Sequence, residues 1–400
     1  MGAGMTSRQP VGARWLLPLR LGAVLAAWLW WAVVPSSGWV VAAAALPVLV
    51  TLVWQRSAGP SFLGVCLAVF LLTAAVGLWA TYDREGTRPI FAHPVGWQKL
   101  WGLVLSVLFF YALVTIRSEA GRRQAVGMLT GLGALVAVGF VVTNDWAAQP
   151  ALWAPITRIG EGLQALLAPV PRGALNPNVA AGVVAPLLPL SIGLAVEGRR
   201  AGRALWTGWG VVAAGAMALA LLLSSSRGAW LGTAGALGLT AVWWAAGRVA
   251  RGERQAVAFA AAVAFLAVGA AFVWAAAAPF RRAVLESGPV ANRLAIFSQA
   301  ALLVRDYALT GSGLGTFPLV HSTYSVLIHV PVLSHAHALP LNVAVEQGLI
   351  GVDALVLAWG GTAWLGLRAL ARSAERRPLL GAALASLAVL AIHGLADDAL

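Results

Sequence analysis

Three residues equipped to handle an anionic, activated substrate stand far apart in this chain. They are Arg227 in LLLSSSRGAWLG, Arg293 in GPVANRLAIFSQAALLVRDYALTGSGLGTF, and His337 in SHAHALPLNVAVEQGLIG. A guanidinium carries a permanent charge and a fork of donors that matches phosphate oxygens. A neutral imidazole, with an ordinary pKa of about 6.5, can take a proton from a hydroxyl. Two fixed cations and a base on one face would suit a diphosphate and a proton transfer beside it.

Taken singly, each residue also has an ordinary reading. Arg227 can snorkel to a membrane surface, Arg293 can be a solvated or salt-bridged loop residue, and His337 can be a structural histidine at a helix start. No carboxylate lies close to Arg227 in the sequence, so an anionic ligand is a natural partner for it. Whether the three act together depends on the elements that place them.

Composition puts those elements in a membrane. Of the 400 residues 60% are apolar and 10% are charged, and the mean hydropathy is +0.82. Soluble domains run at about 45–50% apolar and about 25% charged. The net charge of +13 does not point to nucleic acid, because the arginines cluster between apolar runs and act as topology signals. The single cysteine, Cys66, lies inside an apolar run and reads as a small core residue, with no intrachain disulfide. Arg8, Arg14 and Arg20 precede an apolar stretch without a convincing cleavage site, which predicts a retained first span.

A helix needs about 20 apolar residues to cross the hydrocarbon core. Runs of that kind lie near 16 to 34, 38 to 54, 61 to 80, 97 to 116, 125 to 143, 178 to 196, 204 to 223, 228 to 247, 256 to 275, 340 to 366 and 379 to 395. The expected fold is therefore an all-α, polytopic membrane helix bundle of about 11 transmembrane helices, a single integral membrane domain over residues 1–400. With the N-terminus cytoplasmic, 17 of the 27 basic residues fall in short inside segments, among them Arg117, Arg122, Arg123, Arg199, Arg200, Arg203, Arg368, Arg372 and Arg376. The short outside turns carry only Arg227. The positive-inside rule favours this orientation. It leaves the C-terminal HGLADDAL outside, and a twelfth span beyond it is expected to be missing.

Three longer outside segments follow from this arrangement. Residues 81–96, with Asp83, Arg84, Glu85, Arg88 and His93, read as an irregular loop. Residues 144–177 contain ITRIGEGLQALL, in which Ile156, Ile159, Leu163, Leu166 and Leu167 recur at helical spacing opposite Arg158, Glu161 and Gln164. This predicts a short helix, either lying in the interface or packed on the span ends. Residues 276–339 form the longest loop, expected to be extracytoplasmic, functional and to contain short helices. Within it Ser287 and Pro289 predict the start of a helix that runs through Val304 and presents Arg293 early.

Other motifs point elsewhere or to structure. GSGLGTF lacks the continuation of a nucleotide-binding loop and reads as a tight turn. There is no Asp-x-Asp motif, and Asp83, Glu85, Asp145, Glu161, Glu286 and Asp306 are scattered, which argues against a metal-dependent sugar-nucleotide transferase. His321, His329, His335 and His337 show no consistent zinc spacing, so no metal and no cofactor are expected. Asn176 and Asn178 stand at a helix start, where a cap explains at least one of them. Glu346, His393, Asp397 and Asp398 are polar groups in or near apolar helices, suited either to a structural network or to orienting a catalytic group.

Over residues 170 to 398, in order, the chain resembles the O-antigen ligase and polymerase family of bacterial membrane glycosyltransferases. The resemblance rests on NPNVAAGVVAPLLPL, SSSRGAWLG, the arginine helix ending in GSGLGTF, HALPLNVAVEQGLIG and the closing HGLADD. The family's histidine is usually followed by Asn, whereas Ala338 follows here. The resemblance implies that Arg227 and Arg293 bind the diphosphate of a glycan linked to a polyprenyl carrier such as undecaprenyl diphosphate, and that His337 is the general base. Asn178, Glu346, His393 and Asp397 would support them. The implied partners are that glycan donor, a lipid, protein or glycan acceptor, and membrane lipids.

The expected function is thus an O-antigen ligase-like transfer to an acceptor hydroxyl at the outer leaflet of the bacterial plasma membrane, for polysaccharide of the cell envelope. It would be metal-independent and proceed by direct displacement, since no carboxylate is placed as a nucleophile. A repeat-unit polymerase of the same family is one alternative. A small-anion transporter is another, and would require internal repeats and broken helices near the midplane. The sequence has no convincing repeat, and its arginines lie at the membrane edge.

Overall fold

In a computed structural model of the chain, the structure describes residues 61–80, 93–116, 118–146, 154–165, 175–249, 288–324, 335–372 and 377–395, with isolated positions besides. All regular structure among them is helical. The helices are α1 Phe62–Ala80, α2 His93–Val114, α3 Glu119–Thr143, α4 Ala154–Ala165, α5 Pro177–Arg200, α6 Ala204–Ser224, α7 Arg227–Val249, α8 Gly288–Asp306, α9 Phe317–Tyr324, α10 Leu339–Arg372 and α11 Arg377–Gly394. Six of them, α1, α2, α3, α5, α6 and α10, are long and apolar enough to cross a membrane. The predicted spans at 16 to 34, 38 to 54 and 256 to 275 lie outside the described residues, as do the loop at 81 to 92, Ser287, Asp397 and Asp398.

Local chemistry sets the helix ends. Ser118 caps α3 by accepting the Gly121 N–H at 3.1 Å, so the helix begins ahead of its apolar run and takes Arg122 and Arg123 into its first turns. Asn176 caps α5 by accepting the Asn178 N–H at 2.9 Å, with Pro177 next to it, where a missing N–H costs nothing. Arg199 and Arg200 occupy the last turn of α5, the favourable end of the helix dipole for cations.

Small residues let the helices approach closely. A Cβ on Gly210 of α6 would lie 2.6 Å from Ala195 N and 2.7 Å from Ser191 O of α5, so the two backbones pack with no room for a side chain. Gly198 abuts Thr207 further along, which makes α5 and α6 antiparallel. Close contacts also set α11 against α5 through Gly193 and Ala382 and against α7 through Gly232 and His393, and α11 runs antiparallel to α10, with Gly366 against Leu384 and Gly394 against Trp359. Helix α1 runs antiparallel to α10, with Phe62 against Gly361 and Thr73 against Gly351.

These pairings sort the chain between two ends of the bundle. Arg122, Arg123, Arg199, Arg200, Arg203, Arg368 and Arg372 collect at one end, where Arg123 pairs with Glu197 at 3.2 Å. The starts of α5, α7 and α10 and the ends of α6 and α11 meet at the other.

Two expectations need revision. The predicted span at 340 to 366 is broken, because Gly348 within α10 has φ 72° and ψ −177°. Leu339–Gln347 therefore forms a short first segment separate from the long apolar one. Helix α4 is present with Arg158 and Glu161 exposed, but Gln164, expected beside them, leaves that face. Ile156 is buried while Ile159 is exposed, and Gly160 rather than Ile159 packs, against Trp146. Gln164 turns inward, donating through Nε2 to Val142 O at 2.8 Å and Asn144 O at 3.1 Å, where α3 ends.

Candidate functional site

Arg227 owes its position to the serine run before it. Ser225 adopts a left-handed conformation, φ 56°, that terminates α6. Ser224 Oγ then accepts the Ser226 N–H at 3.3 Å, and Ser226 O accepts the Trp230 N–H at 2.9 Å, starting the next helix at once. Trp230 Nε1 donates back to Leu221 O at 2.7 Å and staples the two helices together. Arg227 becomes the first residue of α7, exposed at the end of the bundle opposite the arginine cluster.

Arg293 lies in the second turn of α8 and is half-buried. One turn on, Ile296, Ala300 and Leu303 form a stripe that is buried in one apolar cluster with Phe317, Ala336 and Val345. That cluster holds the helix of Arg293 against the residue preceding His337.

His337 is half-buried and also left-handed, φ 53°, in the turn that leads into α10. Its ring meets that of His335 edge-on at 4.4 Å. The buried Asn342 reaches back to accept the Ala336 N–H at 3.3 Å and so closes the turn. Two residues after His337, Leu339 lies beside Gly394 of α11, and the neighbouring His393 lies beside Gly232 of α7. Gly232 is five residues from Arg227, about 7.5 Å along a helix. A continuous path of packed residues thus runs from Arg227 to His337 at one end of the bundle, and the apolar cluster extends it to the helix of Arg293.

The supporting residues take different places. Asn176, not Asn178, supplies the side-chain cap of α5, while Asn178 is exposed. His393 is buried where α7 and α11 cross. Glu346 is buried and ion-paired, its Oε1 lying 2.6 Å from Lys99 Nζ of α2. Beside it Gln347 Oε1 accepts from Thr73 Oγ1 of α1 at 2.9 Å.

The GSGLGTF segment is a turn, as expected, and the turn has a partner. Ser312 N–H donates to Val345 O at 2.7 Å, Gly313 N–H to Glu346 O at 3.1 Å, and Leu349 N–H to Ala308 O at 2.7 Å. These are the backbone groups that the break at Gly348 releases from the helix ladder. A Cβ on Gly311 would collide with the Glu346 backbone, and the loop needs a positive φ, 70°, at that residue.

Sequence reasoning missed Lys99, Asn342 and Gln347, and weighed His321 only as a zinc ligand. Lys99 carried a signal, since it is the only lysine in the chain, against 26 arginines. His321 is buried and stacked on Phe317 at 5.3 Å, with no hydrogen bond at Nε2. Burial lowers its pKa from the ordinary histidine value.

Fold and site together define a multi-pass helical membrane protein with two arginines and a histidine gathered towards one end. Residues 212–356 match the family model described as O-antigen ligase, so this stretch is similar to that family. Arg227, Arg293, the glycine-rich turn, His337 and the break at Gly348 all fall within it. No curated protein matches the chain.

Proposed function

We propose that this protein is a membrane glycosyltransferase that moves a glycan from a polyprenyl diphosphate carrier to an acceptor hydroxyl at the outer leaflet. The acceptor oxygen attacks the anomeric carbon, the bond from that carbon to the diphosphate oxygen breaks, and the hydroxyl proton passes to the imidazole of His337. Arg227 and Arg293 stabilise the charge that builds on the leaving diphosphate, a role worth about 3 kcal/mol per donor in a preorganised site. Asn178, His393 and Asp397 support the site, which faces outward with the arginine-rich end in the cytoplasm.

The observation that carries this reading is the packed path from Arg227 through Gly232, His393, Gly394 and Leu339 to His337, within or beside a stretch similar to O-antigen ligases. The transporter reading gains a broken helix in α10. Its freed carbonyls, however, are taken by Ser312 and Gly313 and are not presented to a solute.

Mass spectrometry of polyprenyl-diphosphate lipids from cells with and without the protein tests the proposal. Long lipid-linked glycans accumulating in its absence indicate a ligase, and single repeats accumulating indicate a polymerase. An unchanged lipid pool, or wild-type transfer by His337→Ala, removes the proposal.

A further inference from the structure

We propose that Lys99 and Glu346 form a positioning pair for the transfer site, holding the first segment of α10, and with it His337, in register with the helix of Arg293. This rests on the proposed function and deepens it. The break at Gly348 cuts Leu339–Gln347 off from the hydrogen-bond ladder of the long segment. A helix of nine residues has little stability of its own, so its direction is set by the packing of Leu339 and Val343 together with what grips its C-terminal end.

Three neighbours grip it. The loop after α8 takes the Val345 and Glu346 carbonyls, Thr73 of α1 holds Gln347, and Lys99 of α2 holds the Glu346 carboxylate. Because that loop is the direct continuation of α8, the rods bearing Arg293 and His337 are anchored at one place. Glu346 is nine residues from His337, a lever of about 13 Å, so a tilt of about 10° at the anchor moves the histidine turn by about 2 Å. Misplacement of about 1 Å can cost about a hundredfold in rate.

The Glu346 side chain is 3% exposed and that of Lys99 is 26% exposed. A carboxylate so buried is tolerated when its partner is held in place, and losing one member leaves an uncompensated charge. A lysine, a compact point charge, fits the single contact to one Glu346 oxygen.

The competing role for Lys99 is a direct ligand of the donor's phosphates. The test compares Lys99→Met, Glu346→Gln, the double variant Lys99→Met/Glu346→Gln, Arg227→Ala and His337→Ala. Glycan transfer is measured in cells, and affinity for undecaprenyl diphosphate with purified protein in nanodiscs. A positioning pair predicts that each single variant loses about tenfold to a hundredfold in transfer. Affinity then stays within about twofold of wild type, and the neutral double variant, which leaves no lone buried charge, transfers better than either single one.

Lys99→Met that weakens binding of undecaprenyl diphosphate as much as Arg227→Ala does would overturn the proposal, making Lys99 a phosphate ligand. A double variant no better than the singles would also overturn it. Active Lys99→Met beside inactive His337→Ala overturns this inference alone, whereas active His337→Ala overturns the proposed function and the inference with it.

Discussion

Asn342 Oδ1 accepts the Ala336 N–H at 3.3 Å, so a buried side chain in the first turn of α10 closes the turn in which His337 takes a positive φ. Asn342→Leu keeps most of the volume and removes the acceptor, leaving a buried N–H at a cost of about 1–3 kcal/mol. The histidine turn then relaxes, and transfer is expected to fall about tenfold or more. The assay is run well below the variant's Tm. A wild-type rate there would show that this hydrogen bond does not set His337.

Gly348 occupies a region of φ and ψ that is essentially reserved for glycine. A Cβ there would also collide with the Leu309 carbonyl. Gly348→Ala is expected to destabilise by more than the roughly 1–3 kcal/mol of backbone strain alone. The check is a lowered Tm in detergent, followed by tryptophan fluorescence. An unchanged Tm would mean that α10 tolerates a continuous ladder.

His321 gives the fold a dependence on pH. Its folded pKa lies below the unfolded value of 6.5, because burial disfavours the imidazolium. The unfolded chain therefore binds the proton first as pH falls. The contribution to stability is complete above about 6.5 and declines below it, through the folded value. His321→Phe keeps a ring against Phe317 and should show a shallower loss of Tm between neutral and acidic pH. Parallel curves for the two proteins would exclude this histidine as the source.

Gln164 gives two hydrogen bonds to the last carbonyls of α3 and so fastens α4 to the bundle. Gln164→Ala should cost about 1–2 kcal/mol. Amide exchange should quicken in Ala154–Ala165 while α5 and α6 keep their protection. Exchange unchanged in α4 would place its anchorage elsewhere, on Ile156 and Gly160.

The apolar runs located the described spans well, because crossing a hydrocarbon layer is mainly a matter of composition and length. The run at 204 to 223 is α6 almost to the residue. Errors fell where polar residues belong to the helix, as at Glu119–Arg123, which the Ser118 cap adds to α3. The turn at SSSRG was legible, since serines before a fresh apolar run favour capping geometry. The break at Gly348 was not. Hydropathy reads VAVEQGLIG as continuous helix, and the groups that stabilise the break arrive from Ala308–Gly313, more than thirty residues earlier. The Lys99–Glu346 pair spans 247 positions and left no local trace beyond the rarity of the lysine. Arg227, Arg293 and His337 could be sent towards one end by topology alone, but the packing that connects them could not be read without the structure.

The docking of the glycine-rich turn against α10 also bears on the order in which the chain is assembled. During synthesis Lys99 and the Ala308–Thr316 turn emerge long before Val345 and Glu346, and their partners do not yet exist. The first segment of α10, in turn, exposes carbonyls that lipid cannot satisfy until that turn is in place. Membrane integration of α10 is therefore a late step, followed only by α11 among the described helices, in which late-made backbone completes contacts left open by early-made helices. A nascent chain stopped before Leu339 would hold a membrane-inserted but unfinished bundle, vulnerable to quality-control proteases at the Gly313–Thr316 stretch that the finished protein buries.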